Sequence, residues 1–461
     1  MFDDYIEGQK DNLIESIKKT ISYKSVSTTD SDSIFPFGDE CNNCLNYVLD
    51  LANSLGFRTK NIDGYCGYIE FGEGEELIGL IGHLDVVPAN DDWTFEPFNA
   101  KVADGKIYGR GAIDDKGPVM ASIYAMKAVM DTCKVNKRVR LILGLNEETS
   151  WKCIEYYKEH EEIPICGFSP DADFPVIYAE KGILSYNLKQ EYIKYDKLEI
   201  KEIICENPLN VVPKICTVKL ECFDTNELTA NILEINAKYK FNITIRRIDN
   251  ETLEIVSNGK AAHAAHPELG DNSLSKMIII LNDLFEKYNC TINLFKMFKE
   301  CINTEFNGAS LGINYKDESG MLTLNAAKLT IEDNKLKIGF NLRIPVHTKI
   351  QEVEEKIIEK CNKYENVNYN KISTMDALYI EPESELIKKL LDIYNKKTNS
   401  NEKPIAIGGA TFARAFPNCV SFGANMPGHP DMCHQNDEYA DIDDLILASK
   451  IYAEAIYELA K

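Results

Sequence analysis

Apolar positions recur at helical spacing over the first sixty residues, and the pattern predicts helices at residues 3–23 and 38–55. Tyr47, Val48, Leu51 and Leu55 form one face of the second helix, and Gly56 ends it. The texture then changes to short apolar runs, at 77–82, 139–145 and 154–158, with an amphipathic stretch at 118–130 between the first two. Strand and helix alternate in this way in an α/β sheet. Such sheets bind ligands beyond the ends of their strands, so polar residues directly after an apolar run gain weight.

Near residue 183 the pattern turns to long alternating segments, such as 216–222 and 241–247, which predict an α+β insertion with few candidate catalytic groups. The α/β texture returns near 381 with a helix through 394, a strand around Ile405, a Gly408-Gly409 turn, a strand at 419–423 and a last helix from Ile442. The expected architecture is therefore α/β and discontinuous. Residues 1–182 and 381–461 form a domain with a mixed central sheet flanked by helices, and residues 183–380 form an inserted α+β domain.

Composition narrows the classes. A chain of 461 residues, 44% hydrophobic and 27% charged, has ample apolar material for two or three cores and no sign of disorder. Acidic residues outnumber basic ones 73 to 51, and the net charge of −22 repels polyanions, so no nucleic-acid partner is expected. The start, Met-Phe-Asp-Asp-Tyr-Ile-Glu, lacks the basic and apolar regions of a secretory signal, and no run has the length of a membrane span. The 14 cysteines are scattered, which fits reduced thiols in the cytoplasm. Cys41 and Cys44 have the spacing of half a zinc ribbon, but no second pair exists and their segment reads as a helix, so coincidence is the simpler reading.

Five segments carry candidate chemistry. Ile81-Gly82-His83-Leu84-Asp85 follows an apolar strand and puts an imidazole and a carboxylate on one side of an extended backbone, where Asp85 can orient the His83 ring. Alone, the triplet is weak evidence and is better read as an ordinary His–Asp pair on the surface or in the core. Gly109-Arg110-Gly111-Ala112-Ile113-Asp114-Asp115-Lys116-Gly117-Pro118 delivers two acids just before a helix; helix capping accounts for one of them but leaves the three glycines unexplained. Asn146-Glu147-Glu148 ends the strand at 139–145, so one carboxylate can bind a metal while its neighbour faces a reacting water. Asp171 lies in Phe168-Ser169-Pro170-Asp171-Ala172-Asp173-Phe174-Pro175, and His434 in Met432-Cys433-His434-Gln435-Asn436-Asp437-Glu438.

In this order the segments resemble the two-metal hydrolase family that includes carnosinase, aminoacylase, succinyl-diaminopimelate desuccinylase and the PepV-type (Xaa-His) dipeptidases. The resemblance spans nearly the whole chain and is closest to the PepV type. It implies a dipeptidase acting on peptides with a free N-terminus through a hydroxide shared by two divalent ions, zinc first, with manganese or cobalt also suited to the donors. Asp114 would bridge the ions, His83 and Asp171 would bind one, and Glu148 and His434 the other. Glu147 would be the general base and Asp85 the partner of His83. The Asp114–Asp115 peptide would be cis.

In the insertion, the resemblance assigns His263, in Asn258-Gly259-Lys260-Ala261-Ala262-His263-Ala264-Ala265-His266-Pro267, to the oxyanion, with His266 a bystander. Asn210 and Arg343 would hold substrate, and Gly408, Gly409, Thr411 and Arg414 would form a substrate loop. The insertion would act as a lid on a monomer. An N-acyl-amino-acid amidohydrolase, a deacetylase or desuccinylase of the same family, would share the metal residues and differ in the lid.

Overall fold

The computed structural model describes residues 2–28 and 33–461. The chain forms two compact units, one of Met1–Tyr178, Ile380–Ile405 and Ala410–Lys461, the other of Ala179–Tyr379 and Ala406–Gly409.

The first unit is built on a mixed sheet. Its strands run in the order Arg58–Ile62, Cys66–Phe71, Arg138–Gly144, Leu77–His83, Cys166–Ser169 and Cys419–Ser421, and Ser421 pairs onward with Ile177. The last four in this order are mutually parallel, with Leu80 opposite Leu141 and His83 opposite Gly144, while Cys66–Phe71 joins antiparallel. Every residue of Leu77–His83 is buried, which is why that run is continuously apolar rather than alternating: parallel strands are covered on both faces. The helices Lys116–Thr132 and Ile442–Ala460 pack together beside the sheet. Small residues such as Ala121, Ser122, Ala125 and Ala128 allow the close approach, and the Ser449 hydroxyl donates to the carbonyl of Ala121 at 2.9 Å.

Three details differ from the periodicity, the first being that the run at 154–158, read together with the strands, lies in the helix Lys152–His160. The predicted helix at 3–23 is two helices, Asp3–Gly8 and Lys10–Ile21, interrupted at Gln9 directly after a glycine, the residue least committed to helical backbone. The stretch at 118–130, which reads as amphipathic, lies in a helix buried on almost every side, because sheet and second helix cover it together.

Three parallel neighbours therefore present their C-terminal ends along one edge of the sheet. Those ends lead into His83, into Asn146-Glu147-Glu148 and into Asp171.

The second unit contains two antiparallel sheets. One has the order Thr323–Glu332, Lys335–Ile344, Gly182–Glu191, Asn368–Met375, and the other Leu198–Ile204, Ile215–Cys222, Thr252–Asn258, Ile243–Arg247. Along Ile215–Cys222 alternate residues are buried, as a sheet with one packed face requires. The helix Ser273–Lys287 covers strands of both sheets and contributes Leu274, Met277, Ile278 and Leu281 to the core. Among the described residues no helix is long and apolar enough to cross a membrane.

The central strands approach so closely at Gly79 and Gly167 that a Cβ on Gly167 would lie 1.7 Å from the Gly79 carbonyl oxygen. Gly167→Ala is accordingly expected to cost about 2 kcal/mol or more, because the clash is with backbone that cannot rotate away. A urea unfolding midpoint unchanged from the parent protein would contradict this packing.

Candidate metal centre

His83 is the last residue of its strand, and its Nε2 lies 3.1 Å from Oδ1 of Asp114 and 3.5 Å from Oδ2 of Asp171. His434, from a loop 320 positions further along than Asp114, brings its Nε2 to 3.1 Å from Oδ2 of Asp114 and 3.1 Å from Oε2 of Glu148. The two oxygens of Asp114 thus face different imidazoles. His83, Asp114 and Asp171 form one group of donors lying within 4.8 Å of one another, and Asp114, Glu148 and His434 form a second.

Local structure fixes these side chains from below. The His83 Nδ1 lies 2.9 Å from the backbone carbonyl of Asp85 and 3.5 Å from its Oδ1, so the main chain provides the shorter contact to the ring. The carboxylate of Asp85, fully buried, instead accepts the N–H groups of Glu147 (3.0 Å) and Glu148 (3.2 Å), and so pins the acidic pair to the His83 strand. Asp115 turns inward, where its Oδ2 accepts the His83 N–H at 3.1 Å. A Cβ on Gly82 would stand 2.4 Å from that oxygen, so only glycine admits Asp115 there. The Asp114–Asp115 peptide is cis.

Charge is unevenly matched in this cluster. Burial pushes the Glu147 carboxyl well above the usual range, with Glu148, Asp171 and Asp85 adding to it and His83 opposing. Burial and the neighbouring Asp114 carry Glu148 up to about 7, and the same two causes raise Asp171. Burial also raises Asp115, whose Oδ1 is buried with no hydrogen-bond partner. Asp114 alone is lowered: burial opposes its charge, but the two imidazoles that it faces outweigh burial. Burial likewise opposes a proton on His83 and on His434, and the carboxylates overcome it, pushing His434 up to about 11 and holding His83 well above the ordinary imidazole range. Carboxylates in excess of imidazoles, with imidazole nitrogens and carboxylate oxygens converging on two points, are the donor chemistry of a pair of divalent cations. The residues present fit such a pair.

The segment carrying His434 is held by residues to which the sequence reading gave no role. Glu438 is fully buried; its Oε2 pairs with the Arg110 guanidinium at 2.6 Å, and its Oε1 accepts the N–H groups of Gly111, Ile113 and Asp114 at 3.0, 3.1 and 3.3 Å. Asp437 accepts the N–H and hydroxyl of Thr94, each at 2.7 Å. A glutamate four residues past His434 and an arginine between two glycines carry no chemistry by themselves, and only the fold brings them together.

The remaining candidates divide between the units. Thr411 and Arg414 belong to the first, where the Thr411 hydroxyl lies 2.6 Å from that of Ser421 and caps the short helix Phe412–Ala415. Gly408 and Gly409 belong to the second, together with Asn210, His263 and Arg343. There Val211 bridges His263, and the Asn210 carbonyl accepts the Ala264 N–H at 2.8 Å, so Asn210 and His263 lie on adjoining segments. Arg343 is buried, and its guanidinium donates to the Gly408 carbonyl at 2.9 Å and to Oδ1 of Asn341 at 3.0 Å. The expected 408–414 loop is thus split, and the Gly408 carbonyl serves Arg343. His266 is exposed beside Glu268. Cys41 and Cys44 are buried in the helix Asp39–Ser54, their thiols raised by burial, and among the described residues no cysteine joins a cluster able to hold a metal.

Comparison with known proteins agrees with this geometry. The model of the family described as Peptidase family M20/M25/M40 matches residues 79–458. The chain is 32% identical over 467 residues to the Beta-Ala-Xaa dipeptidase of Lactobacillus delbrueckii subsp. lactis, covering 100% of this chain and 98% of that one. It is 36% identical over 473 residues, 98% of each chain, to YtjP of Bacillus subtilis (strain 168), whose name assigns it provisionally to the dipeptidases. The solved structure of the di-peptidase Dug1p from Saccharomyces cerevisiae has the same fold, with a TM-score of 0.60, 14% identity, and coverage of 99% of this chain and 98% of that one.

Because Asp114 serves both donor groups, Asp114→Ala is expected to lower bound divalent metal to below one equivalent, whereas Asp171→Ala leaves about one; elemental analysis after dialysis reads the difference. The carboxylates facing both imidazoles favour their charged forms when no cation is bound, and a proton on Nε2 must leave when that nitrogen binds one. Metal affinity should therefore rise with pH through neutrality and up toward about 11, where His434 loses its proton unaided, with net proton release. Calorimetric titrations in buffers of differing ionisation enthalpy measure that release, and finding none would contradict the charge state described.

Proposed function

From membership of Peptidase family M20/M25/M40, to which this chain belongs and which makes it a metallopeptidase, we propose that it is a dipeptidase cleaving the single peptide bond of dipeptides with a free N-terminus. The observation that carries the two-metal chemistry of this reading is the division of the Asp114 carboxylate between two imidazole-containing donor groups. His83, Asp171 and one oxygen of Asp114 would hold one divalent ion, and His434, Glu148 and the other oxygen a second, zinc first and manganese or cobalt as alternatives. Such a pair of ions supplies Lewis acidity, polarising the scissile carbonyl and making a water acidic enough to react near neutral pH.

The protein's own groups do the rest. Glu147 receives the proton of the attacking water on its carboxylate and returns it to the departing amine nitrogen. Its placement is supported by the Asp85 carboxylate, which holds the Glu147 and Glu148 amides beside the His83 strand. Burial and neighbouring acids raise the Glu147 carboxyl, as suits a group that must both take and return a proton. On the family resemblance, His263 steadies the oxyanion, Asn210 and Arg343 bind the dipeptide, and Gly408, Gly409, Thr411 and Arg414 border it, with the inserted unit as lid. The likeness to the Lactobacillus dipeptidase over the full length of both chains supports a dipeptide rather than an N-acyl amino acid. The scattered cysteines fit a reducing compartment such as the cytoplasm, and the protein is taken to act as a monomer.

Glu147→Gln is expected to keep its metal and lose about 10²–10⁴-fold in turnover; turnover within a few-fold of the parent would remove Glu147 from its role. Simple dipeptides, assayed beside N-acetyl and N-succinyl amino acids with metal restored to chelated enzyme, should be the preferred substrates. Faster cleavage of the acylated amino acids would overturn the dipeptidase assignment.

A further inference from the structure

His434 differs from the other metal-facing groups in how it is held. His83 is fixed by a fully buried strand, and Asp171 and Glu148 follow strands of the same sheet. His434 lies in an irregular segment with its backbone in the left-handed region (φ 65°), and its ring is about half exposed. What anchors this segment beneath the ring is Glu438. One of its oxygens gathers the amides of Gly111, Ile113 and Asp114, and the other pairs with Arg110, whose guanidinium also reaches the His434 carbonyl at 3.4 Å. The Glu438 carbonyl accepts the Gly109 N–H at 2.9 Å, and Arg110 lies over the Trp93 ring at 5.0 Å. Gly111, in the left-handed region at φ 89°, lets the loop curl so that its amides converge on one oxygen.

We propose that Glu438, through Arg110 and the 109–114 loop, is a positioning residue that sets His434 against Asp114 and so determines the affinity of the second cation site, while the first is independent of it. Asp114 keeps its place toward His83 by another route, since the adjoining Asp115 is tied to the His83 N–H. Groups that orient metal ligands without touching the metal commonly change affinity by 10–100-fold when removed. Here one carboxylate orients two ligands from opposite parts of the chain, so its loss should uncouple the two sites. The inference rests on the two-ion reading of the centre.

The test is calorimetric titration of the chelated full-length chain with Mn²⁺ alone, checked by elemental analysis. Two equivalents are expected for the parent protein. Glu438→Ala should bind one equivalent with an affinity within about threefold of the parent's tighter site and the second at least tenfold more weakly. Glu438→Gln, whose amide oxygen still accepts the three N–H groups, should weaken the second site less. Removing the carboxylate strands Arg110 in the interior, so should the alanine variant not fold, the glutamine variant and Arg110→Lys decide by the same ratio of the two affinities. Parent-like affinity at both sites, or equal weakening at both, overturns the positioning role. Fewer than two equivalents in the parent protein overturns the two-ion reading itself, and the inference with it.

Discussion

Each oxygen of the Asp114 carboxylate faces a different imidazole, one delivered by a strand near the N-terminus and the other by a loop near the C-terminus. Much of the first unit can be understood as the means of holding that arrangement. The parallel strands bring His83, the Glu147-Glu148 pair and Asp171 to one edge, and the 109–114 turn brings Asp114 among them. The long C-terminal helix packs on the helix that begins just after Asp115, which ties the chain's end to its centre.

The electrostatics set this cluster apart from an ordinary core. A core places acids where cations or water can satisfy them, and buried carboxylates without such partners are costly. Here Glu147, Glu148, Asp171 and Asp115 are all raised by burial, and one oxygen of Asp115 has no partner. The arrangement is unfavourable for the protein alone and well suited to divalent cations. Such a local conflict with folding stability is common at functional sites.

Legibility varied with the range of the interaction. The strands at 77–82 and 139–145 and the helix from Ile442 were readable because burial imposes runs and periods on consecutive residues. The break at Gln9 and the near-total burial of the helix Lys116–Thr132 were not, because one depends on a single backbone dihedral pair and the other on what the rest of the chain lays over it. In the site, His83, Asp114, Glu148, Asp171 and His434 could be named from local segments and their order. The pairing of Glu438 with Arg110 and the turning of the Asp85 carboxylate toward two backbone amides left no local trace.

By itself the sequence determined the α/β class and named the side chains that the structure gathers into two donor groups, since each is written in nearest-neighbour patterns or in side-chain chemistry. Tertiary structure decided which oxygen meets which nitrogen, that Gly408 belongs with Arg343 rather than with Thr411, and that a glutamate beyond His434 fastens the loop bearing Asp114. Those are contacts between groups up to hundreds of positions apart, and a hydrogen bond specifies them only once backbone packing has fixed both ends to within a fraction of an ångström.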